Sequence, residues 1–334
     1  MEPLIVSSSP HVYSKDTTAR IMLDVVLALL PAAAAGVYFF GGRAALIMVI
    51  SVLSAVMTEA IVQKLMKKPV TISDWSAVVT GLMLAFNLPP TVPLWLPVVG
   101  SAIAIALVKQ AFGGLGHNFM NPALAARAIL LAAWPVYMTT WADPIRGAAS
   151  GMASTNWSVS GTTDAVSSAT PLAILKGLEG TEEQLPPLWS IIVGGTRGCL
   201  GETSDLALLI GAAYLLWRRV ISWRIPVSFI GTVALLTWIL GPQGLFTGNA
   251  IYHIFSGGLM LGAFYMATDY SSSPVTPKGQ IIMGIGCGII TSIIRLYGGY
   301  PEGVTYSILL MNVATPLIDR FTMPRIYGEV RADV

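Results

Sequence analysis

Charge is scarce in this chain. Asp, Glu, Lys and Arg make up 11% of its 334 residues, against about 25% in soluble proteins, which excludes an ordinary water-soluble fold. Cysteine is scarcer still, with Cys199 and Cys287 the two present. An all-cysteine iron–sulfur cluster needs about four thiolates, so this chain cannot supply one alone. The three histidines, His11, His117 and His253, are too scattered for a haem pair or a metal site. Also missing is a glycine fingerprint opening a strand-to-helix unit, so nicotinamide chemistry belongs elsewhere.

What the chain has is apolar length. The mean hydropathy is +0.70, and apolar segments recur at 20–40, 44–65, 75–88, 94–112, 122–141, 204–219, 225–241, 251–268, 280–297 and 304–319. Each is near the roughly 20 residues needed to cross hydrocarbon, or shorter as in a broken or buried helix. The expected fold is an all-α polytopic membrane protein with about ten transmembrane helices. The run after Leu30 mimics a processing site, but Asp24 interrupts it and Val37–Phe40 continues it, so it reads as the first span.

Basic residues set the expected orientation. With the N-terminus in the cytoplasm, Lys15, Arg20, Lys64, Lys67, Lys68, Lys109, Arg218, Arg219, Arg224, Lys278, Arg320, Arg325 and Arg331 fall at cytoplasmic ends, 13 of the 19 Lys and Arg. Arg43, Arg146, Lys176, Arg197 and Arg295 fall outside or near the outer end, and Arg127 lies in a span near the inner side. Both termini are then cytoplasmic, and the long 142–203 loop is extracytoplasmic. Trp95, Trp141, Trp217 and Trp223 read as interface anchors.

Two echoes suggest an internal repeat. Gly81-Leu82-Met83-Leu84 recurs as Gly258-Leu259-Met260-Leu261, and Met120-Asn121-Pro122-Ala123-Leu124 is echoed by Met311-Asn312-Val313-Ala314-Thr315-Pro316-Leu317. Their order predicts two five-helix repeats, residues 1–141 and 204–319, with a tail at 320–334. An odd unit inverts one half against the other. Such repeats place broken helices near the midplane, and Asn87-Leu88-Pro89-Pro90, Asn121-Pro122 and Ala314-Thr315-Pro316 are the candidate breaks.

In the outer loop, Asp164-Ala165-Val166-Ser167-Ser168-Ala169-Thr170 follows a D-x-x-[S/T]-x-A-T pattern. It resembles the acceptor at which flavin transferases esterify FMN phosphate to threonine, although Ser168 stands where glycine is frequent. Thr170 before Pro171 is also a helix-start signal, N-cap then N1. Both readings of Thr170, flavin acceptor and plain cap, fit these residues. Asp24, one turn beyond Arg20, is expected to form an i,i+4 ion pair. Lys109 is expected to reach the inner surface. For Glu59, interfacial solvation and ion coupling stay open. The turn with His117, Asn118 and Asn121 either binds a flavin ring or phosphate or satisfies a broken helix end. Asp269 and Ser273 pose a similar choice.

Across nearly its whole length the chain resembles the family of Rnf-complex D subunits and, more distantly, the B subunits of Na⁺-translocating NADH:quinone reductases. The likeness rests on Ser7-Ser8-Ser9-Pro10-His11, Ser73-Asp74-Trp75 with Thr80-Gly81-Leu82, Gly116 to Ala123, Asp164 to Thr170 with Pro171-Leu172, and Ala267-Thr268-Asp269 with its Ser-Pro exit. A shorter segment before the first span favours the Rnf side. The resemblance implies a urea-transporter-like fold and a bacterial or archaeal inner-membrane complex passing electrons between ferredoxin and NAD, coupled to Na⁺ or H⁺. It implies covalent FMN on Thr170 at a site with Asp164, Ser167, Ser168 and Ala169, and a second, non-covalent flavin, riboflavin, in the bundle. The expected partners are the flavin-bearing G subunit, membrane subunits A and E, a flavin transferase and lipid, with no nucleic acid. The competing classes are a non-redox solute channel of the same fold and a scaffold.

Overall fold

A computed structural model describes residues 16–144, 170–177, 185–241, 244–300 and 302–323. Asp164, Ser167, Ser168, Ala169 and the Ser7–His11 segment lie outside the described residues. Among the described residues the architecture is helical, with one short hairpin, Leu240–Gly241 paired with Gly244–Leu245.

The first apolar run forms α1 (Thr18–Phe40), capped by Thr17, whose hydroxyl accepts from Arg20 N at 3.3 Å. Gly41, at φ 73°, turns the chain directly into α2 (Gly42–Leu65). Next come α3 (Ser76–Phe86) and α4 (Trp95–Ala102), the latter continuing as a π-helical stretch, Ile103–Gln110. The segment expected at 122–141 is split into α5 (Pro122–Ala133) and α6 (Pro135–Thr139). Pro135 forces Trp134 out of helical geometry, to φ −133° and ψ 62°.

Two short helices follow, α7 (Pro171–Leu175) and α8 (Leu188–Val193), and then α9 (Asp205–Trp217) and α10 (Arg224–Ile239). The segment expected at 251–268 is also broken. α11 (Ala250–Phe255) ends at Ser256, Gly257 turns at φ 73°, and α12 (Leu259–Leu261) continues as a π-helical stretch, Gly262–Met266. The chain closes with α13 (Pro277–Tyr297) and α14 (Val304–Thr322).

Of the three candidate breaks, two occur, because α3 stops at Phe86 and Asn121 starts α5. The third is corrected: α14 runs straight through Pro316. The ring removes the N–H that would bond Asn312 O, and next to it Thr315 Oγ1 reaches Ser272 O at 2.9 Å and Met311 O at 3.1 Å, tying this turn of α14 to the segment before α13.

Among the described residues, three helices, α1, α2 and α13, are long and apolar enough to cross a membrane by length and composition. Their outward faces agree with this, since Leu46, Val49, Leu53, Met57 and Ile61 on α2 and Ile281, Ile285, Ile289 and Ile293 on α13 are all exposed. This is a helical polytopic membrane protein. Its helices meet through small residues, as apolar surroundings require. A Cβ at Gly284 of α13 would lie 1.9 Å from Ser228 Oγ of α10, so the two backbones touch there.

The bundle has two ends. Asp205 at the start of α9, Arg295 in the last turn of α13 and α7 share one of them. At the other, Asp24 of α1 meets the final turn of α9, and Thr276 before α13 meets Thr322 of α14 at 2.5 Å. Hence α1 begins and α14 finishes at the end opposite Thr170.

Two of the expected charge placements need correction. Asp24 does not pair with Arg20; its carboxylate accepts from Tyr214 Oη at 2.8 Å and pairs with Arg218 at 3.0 Å. Lys109 does not reach the surface either. It is 2% exposed and pairs with Glu59, itself 1% exposed, at 2.7 Å. In both cases a partner on another helix supplies closer compensation than an interface would.

A Cβ at Gly211 would fall 1.9 Å from Ala28 O and 2.3 Å from Tyr265 Oη. Gly211→Ala is therefore expected to cost about 1–3 kcal/mol. The check is the midpoint of detergent unfolding followed by far-UV circular dichroism, and an unchanged midpoint would refute the close α1–α9 approach.

Candidate functional site

Thr170 stands where the chain enters α7, with φ −77° and ψ 156°. Its Oγ1 accepts from Ala173 N at 3.2 Å, so the hydroxyl does cap the helix that Pro171 begins. Thr170 itself is half-buried, while Pro171, Leu172, Ala173 and Ile174 are buried. A five-residue helix has little stability of its own. What fixes it is Lys176, whose ammonium donates to Ile294 O at 3.0 Å, Tyr300 O at 2.9 Å and Gly298 O. Ile294 O, in the last turn of α13, also accepts from Gly298 N at 2.9 Å, and Gly298 and Tyr300 follow the helix; an ammonium with three donors ties the three carbonyls together. Burial lowers the Lys176 pKa from its ordinary value. On the same helix Leu172 packs over Gly257, where a Cβ would meet Leu172 Cδ1 at 2.5 Å.

Beneath Gly257 lies a polar cluster in an otherwise apolar bundle. Arg127 of α5 donates to Asn87 Oδ1 at 2.9 Å and Thr305 Oγ1 at 3.2 Å, and its Nη2 forms an ion pair with Glu302. The same Nη2 lies 3.9 Å from Glu202 Oε1 and 3.6 Å from Cys199 Sγ. Glu302 also accepts from Gly258 N at 3.2 Å. Close by, Arg295 donates to the backbone oxygens of His253 and, at 3.1 Å, Ser256. The sequence put Arg295 outside or near the outer end, the end of Thr170, and Arg127 near the inner side. Both are buried and face this cluster at the α7 end, so the placement that differs is that of Arg127.

Glu202 and Glu302 were missed by the sequence reading. Each sits beside a glycine at the edge of an apolar run, Gly201-Glu202 and Glu302-Gly303, and so looks like a solvated loop residue. The available signal was an acidic residue pair flanking spans that hold unpaired arginines.

At the opposite end, Asn118 and Asn121 line a small cavity together with Ser76, Lys109, Tyr265 and Asp269. A second small cavity shares Tyr265 and Asp269. Asn121 starts α5, its Oδ1 accepting from Ala123 N at 3.0 Å, while its Nδ2 reaches Met266 O at 3.3 Å. Lys109 Nζ holds Ser76 Oγ at 2.6 Å, and Asp269 accepts from Ser271 and Ser272, each at 3.0 Å. Ser273 does not share this arrangement with its side chain; its backbone N bonds Asp269 O at 3.0 Å. His117 is not a lining residue. Its ring packs at Gly113, where a Cβ would meet His117 Cγ at 3.1 Å. The expected binding residues thus divide between two places, Thr170 at one end and Asn118 with Asn121 at the other. Among the described residues, no group of three His, Cys, Asp or Glu could hold a metal ion.

The sequence model described as the NQR2, RnfD, RnfE family matches residues 5–328. The D subunit of the Na⁺-translocating ferredoxin:NAD⁺ oxidoreductase complex of Acetobacterium woodii is 56% identical over 331 residues, covering 98% of this chain and 96% of its own. The D subunit of the proton-translocating ferredoxin:NAD⁺ oxidoreductase complex of Clostridium ljungdahlii is 48% identical over 334 residues, covering 98% and 96%. The D subunit of the ion-translocating oxidoreductase complex of Yersinia pseudotuberculosis is 39% identical over 346 residues, covering 97% and 98%.

Arg127→Met would leave Glu302 buried without its guanidinium, at an expected cost of about 3–5 kcal/mol. Arg127→Met with Glu302→Leu is expected to recover most of that loss, read as the unfolding midpoint in detergent. Equal midpoints for wild type and the single variant would show that the pair does not carry the fold.

Proposed function

This chain belongs to the NQR2, RnfD, RnfE family, and on that premise we propose that it is the membrane D subunit of an ion-translocating ferredoxin:NAD oxidoreductase. In this reading it carries FMN as an ester on Thr170. The observation that supports the ester is the setting of one hydroxyl. Thr170 Oγ1 stands half-buried at the head of a short helix whose far end is tied to α13 by Lys176. A phosphodiester there keeps the bridging oxygen next to Ala173 N–H and places its negative charge at the helix start, where charge of that sign is favoured. FMN would supply one-electron acceptance and release, and the protein supplies position and electrostatics. Lys176 and Leu172 hold the attachment point against the bundle, and the buried cluster below gives that end a fixed charge environment.

A second flavin, uncharged riboflavin, is assigned to the cavity at the other end. The amides of Asn118 and Asn121 offer the donors and acceptors that a flavin ring edge needs.

The two halves are proposed as inverted repeats. Gly81–Leu84 lies in α3, which runs toward the Thr170 end, and Gly258–Leu261 runs away from it. The echoing residues Asn121 and Asn312 also meet: with the Asn312 amide turned to the orientation its neighbours require, Oδ1 accepts from Asn121 N at 3.1 Å. With α1 beginning and α14 finishing opposite Thr170, cytoplasmic termini put Thr170 on the extracytoplasmic face, toward a G subunit. The A and E subunits are the expected membrane neighbours, and a flavin transferase matures the site.

Expressed in a host with that transferase and run on a denaturing gel, the wild-type band should fluoresce, and Thr170→Val should fall to background. A dark wild-type band would refute the ester. Asn121→Leu should retain the fluorescent band and lose the flavin absorbance released into the supernatant on acid precipitation.

A further inference from the structure

Two acidic side chains from distant connections of the chain, Glu202 before α9 and Glu302 between α13 and α14, converge on one guanidinium nitrogen. Arg127 Nη2 forms its ion pair with Glu302 Oε2 and lies 3.9 Å from Glu202 Oε1. Gly258 marks the same spot from another side: a Cβ there would stand 3.2 Å from Glu202 Oε1 and 3.7 Å from Glu302 Oε1. The two side chains are in direct contact, through a hydrogen bond between their carboxyl groups.

Their other partners divide unequally. Glu302 holds the guanidinium with Oε2 and accepts from Gly258 N at 3.2 Å with Oε1, so both of its oxygens are engaged. Glu202 accepts from Cys199 N at 3.4 Å with Oε2, while its Oε1 is buried with no donor among the described residues, in a side chain 7% exposed. What stands beside that oxygen is another carboxyl group. Two carboxylates at such close range repel, whereas an acid and a carboxylate attract, because the acid has a hydrogen to donate. Burial and the Glu302 carboxylate both push Glu202 well above the usual carboxylate range. For Glu302 burial also pushes upward, but the Arg127 guanidinium outweighs it and holds that carboxyl below the usual range.

We propose that Glu202 and Glu302 form a proton-binding site beside Arg127, in which one proton is carried on Glu202 and shared with the Glu302 carboxylate. Loading forms one O–H bond: a Glu202 carboxylate and one H⁺ become a neutral carboxylic acid, and the oxygen that lacked a partner gains one in Glu302. Glu302 keeps its negative charge, so Arg127 stays paired in the loaded state. The site stands on the contact between the two side chains and does not depend on the flavin reading. In the ion-translocating assembly proposed above, it gives a proton a residence within this membrane chain at the Thr170 end.

The test is infrared difference spectroscopy of the purified full chain at neutral pH, in choline buffer, in H₂O and in D₂O. Wild type minus Glu202→Gln is expected to show a carboxylic-acid C=O band that moves in D₂O, because the amide keeps a donor toward Glu302 but cannot carry the acid proton. In Glu302→Gln the band is expected to shift or vanish, since the accepting carboxylate is gone. Two near-isosteric variants are used so that misfolding of one leaves the other readable. Absence of the band in wild type, or an unchanged band in either variant, would overturn the proposal. Its disappearance from wild type when sodium replaces choline would overturn it as well, in favour of a metal ion.

Discussion

The ion pair between Arg127 and Glu302 joins α5 to the connection before α14, and much of the structure is arranged around it. An arginine in an apolar bundle is costly unless its charge is met and its donors find acceptors. Asn87 and Thr305 take the other nitrogen, so α3, α5 and α14 are held to one guanidinium. The residue before Glu202, Gly201, fits only because it has no side chain: a Cβ there would lie 2.5 Å from Phe86 Cβ. Close helix packing and buried charge are one arrangement here, since the small residues that let backbones approach also bring the cluster together.

Much of the fold was legible in the sequence. Apolar runs located the long helices, the Thr-Pro pair marked the start of α7, and Asn121-Pro122 marked the start of α5. These signals are local, and a cap or a proline acts on its own neighbours. Residues that depend on distant partners were read less well. Asp24 looked for Arg20 four positions away and found Tyr214 and Arg218 on α9. Lys109 looked surface-bound and is held by Glu59 and Ser76.

The candidate site was legible in part for the same reason. Thr170, Asn118 and Asn121 stand in recognisable strings, whereas Glu202 and Glu302 acquire meaning only when two distant connections of the chain come together. Pro316 shows the converse, a strong local breaker overridden by tertiary contact through Thr315 and Ser272.

The clamp on α7 has a kinetic consequence. One end of this helix is Thr170 and the other is followed at once by Lys176, bonded to three carbonyls at the finish of α13. So short a strut contains no hinge. Any redox group attached at its head would have its tunnelling gap to a neighbouring centre set by where α13 stops.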